Sequence, residues 1–224
     1  MIQLDFIAVL GQWPALLRGA AFTLALSAVA ALVGVGLGVA CGWARGAGPR
    51  WLAALVACYV ELIRNTPFIV QLFFIYFGLP SLGVRLTPET ASVLAMVINL
   101  GAYAAEIVRA GIEGTPRGQF EAARSLGLSE FQVFSRVVLP PSLARGWPAL
   151  TSQIIIVMLG SAVCGQISAQ ELSYAANLIQ SRNFRAFEAY IIATAVYLLM
   201  AIGIRQALHW IGPRWIFGRV ASGR

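Results

Sequence analysis

An acidic and a basic residue lie three positions apart inside a long apolar stretch of this 224-residue chain. Glu61 and Arg64 would share one face of a helix, because residues three apart are neighbours on a helical surface. Two interpretations are open: a structural ion pair that fixes the helix, or a gate or path for a polar solute. Asn65, Thr66 and Pro67 follow directly, and we expect them to loosen the helix, since proline deletes a backbone hydrogen bond.

A second candidate is a short helix that carries one carboxylate beside two small side chains, Glu121, Ala122 and Ala123. Small side chains let a helix enter a cleft on a partner protein, where a carboxylate can pair with a partner's arginine. A solvated helix at the membrane surface would show the same residues. The residue types alone leave both interpretations open.

Catalytic chemistry is poorly supported. All 16 basic residues are arginine, which excludes the nucleotide-binding loop G-x-x-x-x-G-K-[ST] and Schiff-base catalysis. The sequence shows no paired catalytic carboxylates, no Ser/His arrangement and no zinc-ligand spacing around its three cysteines and single histidine. We therefore expect a protein that is not an enzyme and holds no metal or cofactor, so that any ATP driving it is hydrolysed by another chain.

The elements that position these residues are predicted to be membrane helices. Apolar residues make up 59% of the chain and charged residues 11%, against roughly 45–50% and 25% in soluble domains. A helix of about 20 apolar residues crosses the hydrocarbon core. The predicted fold class is an all-α membrane protein, one transmembrane domain over 1–224, with spans at about 20–43, 52–79, 90–109, 147–166 and 189–209.

The distribution of arginines predicts the orientation of these spans. Eleven arginines fall on one side of the membrane and four on the other. Positive residues favour the cytoplasmic side, which places the loop 110–146 and the C-terminus in the cytoplasm and the N-terminus outside. The arginines are scattered at the ends of apolar runs and form no stripe, so we expect no nucleic-acid partner.

The cytoplasmic loop 110–146 carries local signals for helix starts and stops. Ser, Thr and Asn residues cap helices, proline favours the first helical turn, and glycine favours a left-handed stop. A Ser followed three residues later by Gln has the form of a capping box. The expected order is a start at Thr115–Pro116, a stop at Gly127, a second start at Ser129 with Gln132, and an end at Pro140–Pro141.

The same loop resembles a motif of bacterial ABC importer permeases, E-A-A-x3-G-x9-I-x-L-P. Val137 takes the place of the isoleucine, and the other positions match. The resemblance implies a coupling helix that docks on separate ATPase subunits and a fold like that of type I ABC importer permeases, with five spans. The coupling residues that it implies are Glu121, Ala122, Ala123, Gly127, Leu139 and Pro140.

Other stretches resemble the polar amino-acid branch of these permeases and cover nearly the whole chain. They include Tyr59–Pro67, Gln71–Pro80, Ala102–Ile112 and Phe187–Tyr190. The resemblance implies a subunit of the bacterial inner membrane that carries amino acids. Its implied partners are a second permease chain, the same or homologous, two ATPase subunits that hold ATP and magnesium, and an extracytoplasmic amino-acid-binding protein. The outer loop 171–188, with Arg182 and Arg185, is the candidate docking surface for that protein, and a solvated periplasmic loop is the alternative.

An amino-acid cargo needs opposite partners for its ammonium and carboxylate groups, and irregular backbone near the middle of the membrane can supply them. Many relatives have a Lys-Asp or Lys-Asn pair near the end of the fourth span, where this chain reads Leu159-Gly160-Ser161. That departure favours an uncharged or acidic cargo, or a partner chain that binds it. The expected path or gate residues, each of which also fits ordinary helix packing, are Glu61, Arg64, Asn65, Thr66, Asn99, Tyr103, Gln153, Ser161 and Gln166.

An ATP-independent secondary carrier or channel is the alternative. It would explain the spans and the Glu61/Arg64 pair. It would not explain a folded cytoplasmic loop with this spaced motif.

Overall fold

The computed structural model describes residues 4–212 and residue 214, and within them every regular element is helical. Two π-helices and two 3-10 helices interrupt or extend the α-helices. The α-helices are α1 (Phe6–Leu10), α2 (Trp13–Ala47), α3 (Arg50–Arg64), α4 (Phe68–Phe73), α5 (Pro88–Glu113), α6 (Arg117–Ser125), α7 (Glu130–Gln132), α8 (Leu139–Gly160), α9 (Leu172–Asn183) and α10 (Ala186–Ile211). The π-helices are Phe74–Gly78 and Val133–Val138, and the 3-10 helices are Leu79–Leu82 and Ser161–Ile167.

Four helical stretches in the described part of the chain are long and apolar enough to cross a membrane. They are Trp13–Gly46, Pro88–Glu113, Glu130–Ile167 and Ala186–Ile211. A fifth span results if α3 and the segment Phe68–Leu82 count as one broken helix. The all-α membrane fold expected from composition is confirmed.

The break in that fifth span lies where Asn65, Thr66 and Pro67 interrupt the apolar sequence. Pro67 has no amide hydrogen, so it cannot continue the helical ladder. The Thr66 side chain serves the carbonyls at the break, since its Oγ1 donates to the Leu62 carbonyl at 2.9 Å and lies 3.4 Å from the Ile63 carbonyl. Asn65 Nδ2 adds a second donor, at 2.8 Å, to the Glu61 carbonyl, which already accepts from the Asn65 amide.

The expectation that Pro140–Pro141 ends a loop helix is wrong. Helical structure continues without a break from Glu130 to Ile167, over 38 residues. The π-helix Val133–Val138 directly precedes the prolines, and its wider turn accommodates rings that a regular α-turn would exclude. Both prolines lie in the first turn of α8, directly after that π-helix.

The chain divides into two compact units. The first comprises the residues up to Ala31, Pro67–Val97 and Ile155–Ile204. Its core is built from α1, α2, α8, α9 and α10, with Val9, Leu16, Met158, Leu172 and Ile179 among the buried side chains. A Cβ at Gly19 would come within 2.9 Å of the Leu172 Cα, so α2 and α9 pack closely only because position 19 is glycine.

The second unit comprises Leu32–Thr66, Ile98–Ile154 and the residues from Arg205 onward. Its helices α2 and α5 meet through small residues, since a Cβ at Gly38 would lie 2.5 Å from the Ala104 Cβ. Close backbone approach of this kind is typical of helix contacts in lipid. This unit holds the whole segment 110–146.

Candidate functional site

The segment 110–146 folds around a small apolar core of its own. Ala123, Val133 and Val138 are buried in it, with partly buried Phe120 and Leu128 packed against them. These side chains come from α6, from the corner that follows and from the π-helix. The loop is therefore a structured element that can move as a unit.

The corner between α6 and α7 has the local structure that its sequence predicts. Gly127 adopts φ 75°, the left-handed region that glycine enters at little cost. The Leu128 amide donates back to the Ala123 carbonyl at 3.3 Å and closes the end of α6. Ser129 and Gln132 form the predicted capping box, with the Ser129 amide donating to Gln132 Oε1 at 2.9 Å.

Two charged side chains bridge this corner. Arg124 Nε donates to Glu130 Oε1 at 2.9 Å, and Arg124 Nη2 donates to Glu130 Oε2 at 3.1 Å. The hydrogen bond to the carboxylate raises the pKa of the Arg124 guanidinium above its ordinary value. Both side chains are more than half exposed, so solvent screens the pair and its main effect is on geometry.

The expectation that Thr115 caps α6 is wrong, because the residue before that helix is Pro116. Thr115 is only 6% exposed. Arg145 Nη2 donates to its hydroxyl at 2.6 Å and to the Gly111 carbonyl at 2.7 Å. These long-range contacts turn the Thr115 side chain inward and tie the end of α5 to α8.

The small-residue face of α6 is narrower than its sequence suggests. Glu121 and Ala122 are exposed, but Ala123 is 3% exposed and belongs to the loop core. The exposed neighbours Gly127 and Leu126 lie at the corner, and Leu126 is 80% exposed. Leu139 and Pro140, which complete the motif, are half-buried.

Among the path candidates, Arg64 does not pair with Glu61 in the described residues. Its guanidinium lies 3.9 Å from Glu106 and 5.6 Å from the centre of the Tyr103 ring. Glu61 instead accepts a hydrogen bond from Asn65 Nδ2 at 3.0 Å. The structure therefore brings Arg64 and Tyr103 together and separates the expected ion pair.

Glu106 is a functional candidate that is not among the residues predicted above. Three arginines from three helices converge on its carboxylate: Arg45 of α2 at 3.4 Å, Arg64 of α3 at 3.9 Å, and Arg109 of α5, whose Nε donates to it at 3.1 Å. Arg109 also pairs with Glu113. The spacing of Glu106 and Arg109, three residues apart on one helix, was the available signal.

The remaining path candidates lie in different surroundings. In the second unit, Asn99 is buried, whereas Thr66 and Gln153 are half-buried. In the first unit, the buried Ser161 hydroxyl donates to the Met158 carbonyl at 2.7 Å, so it is already satisfied. Gln166 is exposed and lines an open cavity of about 340 Å³.

Beside that cavity lies a carboxylate with no solvent exposure, Glu171. It accepts hydrogen bonds from the Ser173 and Tyr174 amides, from the Ser173 hydroxyl and from the Tyr197 hydroxyl. It thus caps α9 and links that helix to α10. From the sequence alone, Glu171 is only the first residue of the expected outer loop 171–188.

Residues 34–217 match the family described as "Binding-protein-dependent transport system inner membrane component". The chain belongs to this family. The match covers most of the sequence and includes the loop 110–146. As a member, this inner membrane component is a multi-pass transport subunit rather than an enzyme, and nucleotide hydrolysis resides in separate subunits of such transporters.

Curated relatives extend nearly the full length of the chain. The glutamine transport system permease protein of Escherichia coli strain K12 is 37% identical over 216 residues, which cover 95% of this chain and 98% of that protein. The L-cystine transport system permease protein of Bacillus subtilis strain 168 is 33% identical over 203 residues, covering 90% and 87%. The resemblance to ABC importer permeases of the polar amino-acid branch is confirmed, and the alternative of an ATP-independent carrier is not favoured.

Solved structures show the same fold. An amino acid ABC transporter crystallised with histidines superposes with a TM-score of 0.84 at 35% identity, covering 95% of this chain and 100% of that chain. The MetNI methionine ABC transporter in an inward-facing conformation superposes with a TM-score of 0.75 at 23% identity, covering 88% and 94%. The type I ABC importer fold expected from the sequence is confirmed.

Proposed function

We propose that this inner membrane component forms the translocation path of an ABC importer for polar amino acids and that loop 110–146 couples the path to ATP hydrolysis. The amino-acid cargo is supported by the relatives, whose names refer to glutamine and cystine transport. Its partners are a second permease chain, the same or homologous, two ATPase subunits that hold ATP and magnesium, and an extracytoplasmic amino-acid-binding protein.

The observation that carries the coupling role is the shape of the loop. α6 ends in a glycine corner that a capping box and a bridging ion pair fix, and it exposes one carboxylate, Glu121, beside the small Ala122. An exposed carboxylate beside a minimal side chain suits a cleft that contains a partner's arginine. The coupling residues of this proposal are Glu121, Ala122, Ala123, Gly127, Leu139 and Pro140.

Ala123 acts indirectly in this arrangement. Its burial against Val133 and Val138 holds α6 on the π-helix, so a displacement of α6 would also move the π-helix and α8, which continues from it. Movement of a docked helix with its ATPase subunit is a rigid-body switch driven by a distant ligand.

We also propose one transmembrane domain over residues 1–224, with the five spans predicted from the sequence at about 20–43, 52–79, 90–109, 147–166 and 189–209. The N-terminus lies outside, and loop 110–146 and the C-terminus lie in the cytoplasm. The arginine distribution supports this orientation. Loop 171–188 would then face the binding protein. The path or gate residues of this proposal are Glu61, Arg64, Asn65, Thr66, Asn99, Tyr103, Gln153, Ser161 and Gln166.

The test is reconstitution of the complete complex in proteoliposomes with its ATPase subunits and binding protein. We expect the binding protein loaded with an amino acid to stimulate ATP hydrolysis and to support ATP-dependent uptake. Acidic, neutral and basic amino acids are compared in parallel. Uptake without ATP, or hydrolysis that no loaded binding protein stimulates, would contradict the proposal.

A further inference from the structure

The end of α10 and the residues just after it combine exposed basic side chains with an exposed tryptophan. Arg205, His209, Trp210 and Arg214 are all exposed, and Trp210 keeps 55% of its surface accessible. The Arg214 guanidinium lies over the Trp210 ring, 4.7 Å from its centre, which is a cation–π distance. Together these four residues form the basic end of α10.

The helix end that carries these residues is anchored to α8. Trp147 Nε1 donates to the Leu208 carbonyl at 3.1 Å. A Cβ at Gly212 would collide with the same indole nitrogen, so only glycine allows the two segments to approach this closely. Trp147 thus holds the helix end in place while the basic end stays exposed.

The basic end lies in a part of the sequence without acidic residues. The last acidic residue is Glu188, whereas Arg219 and Arg224 follow Arg214 in the sequence. All nine acidic residues fall within the described part of the chain, and none of them pairs there with Arg205 or Arg214. A counter-charge for the basic end therefore comes from its surroundings.

The surface of the membrane can supply that counter-charge. The helix α10 is long and apolar enough to cross a membrane, and Leu198, Leu199 and Ile202, which precede the basic end, are exposed apolar residues. Where a helix leaves the hydrocarbon region, tryptophan rings lie at the level of the lipid headgroups. Clustered basic residues at such a helix end attract anionic lipids.

We propose that the basic end of α10 binds the headgroup phosphates of anionic phospholipids in preference to zwitterionic ones. The planar guanidinium groups of Arg205 and Arg214 match the oxygens of a phosphate. A zwitterionic headgroup carries an ammonium group as well, which the arginines repel. The inference needs only the membrane location that the family membership shows, and it is independent of the cargo and of the orientation.

The experiment is fluorescence quenching of the purified permease–ATPase complex in lipid vesicles. The vesicles contain equal amounts of phosphatidylglycerol and phosphatidylcholine, and one of the two lipids is brominated in its acyl chains. The difference in quenching between the wild type and Trp210→Phe reports the lipids next to Trp210. We expect phosphatidylglycerol to be favoured there by at least about fivefold, the factor expected for one arginine near an anionic surface.

The double variant Arg205→Gln/Arg214→Gln is expected to abolish this preference, and high salt should weaken it in the wild type. Arg85→Gln is the matched control, because Arg85 is exposed, carries the same charge and lies far from Trp210 in the sequence. It should keep the wild-type preference. Arg205→Gln alone should lower the preference about fivefold, and it keeps the test decisive if the double variant does not assemble.

Equal quenching by the two brominated lipids in the wild type, or an unchanged preference in the double variant, overturns the inference. The inference is also overturned if Trp210 becomes quenchable only after the ATPase subunits are removed, because those subunits would then cover the basic end. All of these results leave the proposed function intact, since it is tested separately through ATP hydrolysis stimulated by loaded binding protein.

Discussion

Trp43, near the end of α2, and Phe131, in the loop 110–146, meet edge to face with ring centres 6.5 Å apart and planes inclined at 81°. Edge-to-face contact is a favourable geometry for aromatic pairs. It joins a membrane-spanning helix to the loop directly, in addition to the covalent connections through α5 and α8. A displacement of the loop therefore acts on α2 as well.

Charge reversal at Glu121 tests the docking face. Glu121→Lys should leave the protein in the membrane, because the side chain is exposed and makes no contact with the loop core. It should reduce ATP-dependent uptake by at least about tenfold, the factor that corresponds to 1.4 kcal/mol, through loss of a charged contact to the ATPase subunit. Uptake in proteoliposomes and membrane content are measured together. Glu89→Lys, a reversal outside the loop, is the control; wild-type uptake by Glu121→Lys would remove the coupling role.

Gly127 tests the corner. Replacement by alanine forces a side chain into the left-handed region at a cost of roughly 1–2 kcal/mol. Nothing lies within 4 Å of the position a Cβ would take, so strain rather than a clash is the cause. We expect ATP hydrolysis to continue while uptake falls, because α6 is held at a wrong angle. The matched variant is Gly118→Ala, which is also free of contacts but has an ordinary helical backbone. Equal uptake by the two variants would show that the corner geometry is unimportant.

The ion pair between Arg124 and Glu130 predicts that exchanging the two charges preserves uptake. Arg124→Glu and Glu130→Arg each place like charges on opposite sides of Gly127 and should lower uptake moderately. The double exchange restores opposite charges and should recover most of the uptake, without a large change in stability because the pair is exposed. The measurement is uptake at low and high ionic strength, since salt screens such pairs. Failure of the double exchange to recover uptake would show that the two residues act separately.

Glu106→Gln tests the arginine cluster. It removes the carboxylate that Arg45, Arg64 and Arg109 share, and we expect a loss of stability of about 1–3 kcal/mol. The measurement is thermal unfolding of the purified protein in detergent. Glu113→Gln is the control, because that carboxylate is 63% exposed and binds Arg109 alone. If Arg64→Gln added to Glu106→Gln does not regain stability, uncompensated positive charge is not the cause of the loss.

Side-specific labelling tests the orientation. In a protein whose cysteines at 41, 58 and 164 are replaced, Ser129→Cys should react with an impermeant reagent only from the cytoplasmic side. Ser181→Cys should react only from the outside. Both positions are exposed, so access to the residue itself is not limiting. Labelling of residue 129 from the outside would reverse the proposed topology.

Local features of the fold could be read from the sequence because neighbouring residues cause them. The left-handed corner at Gly127, the capping box at Ser129 and the break before Pro67 all depend on the conformational limits of a few adjacent residues. Their spacing was sufficient to place them.

Long-range pairing could not be read in this way. Arg64 has a carboxylate three residues away, yet it lies next to Glu106, 42 positions later in the chain. Thr115 fits a helix cap, but Arg145 and Ser142 draw its hydroxyl inward. The prolines at 140 and 141 would end an ordinary helix and do not, because a π-helix precedes them. In each case tertiary packing outweighs a local preference.

The inward position of Ala123 limits how this loop could be transplanted. Glu121 and Ala122 face outward, whereas Ala123 fits against Val133 and Val138. A chimera that received α6 alone would carry the docking surface without the residues of the π-helix that Ala123 packs against. To retarget the subunit to a different ATPase, an engineer would have to exchange the whole segment from Arg117 to Pro140 together.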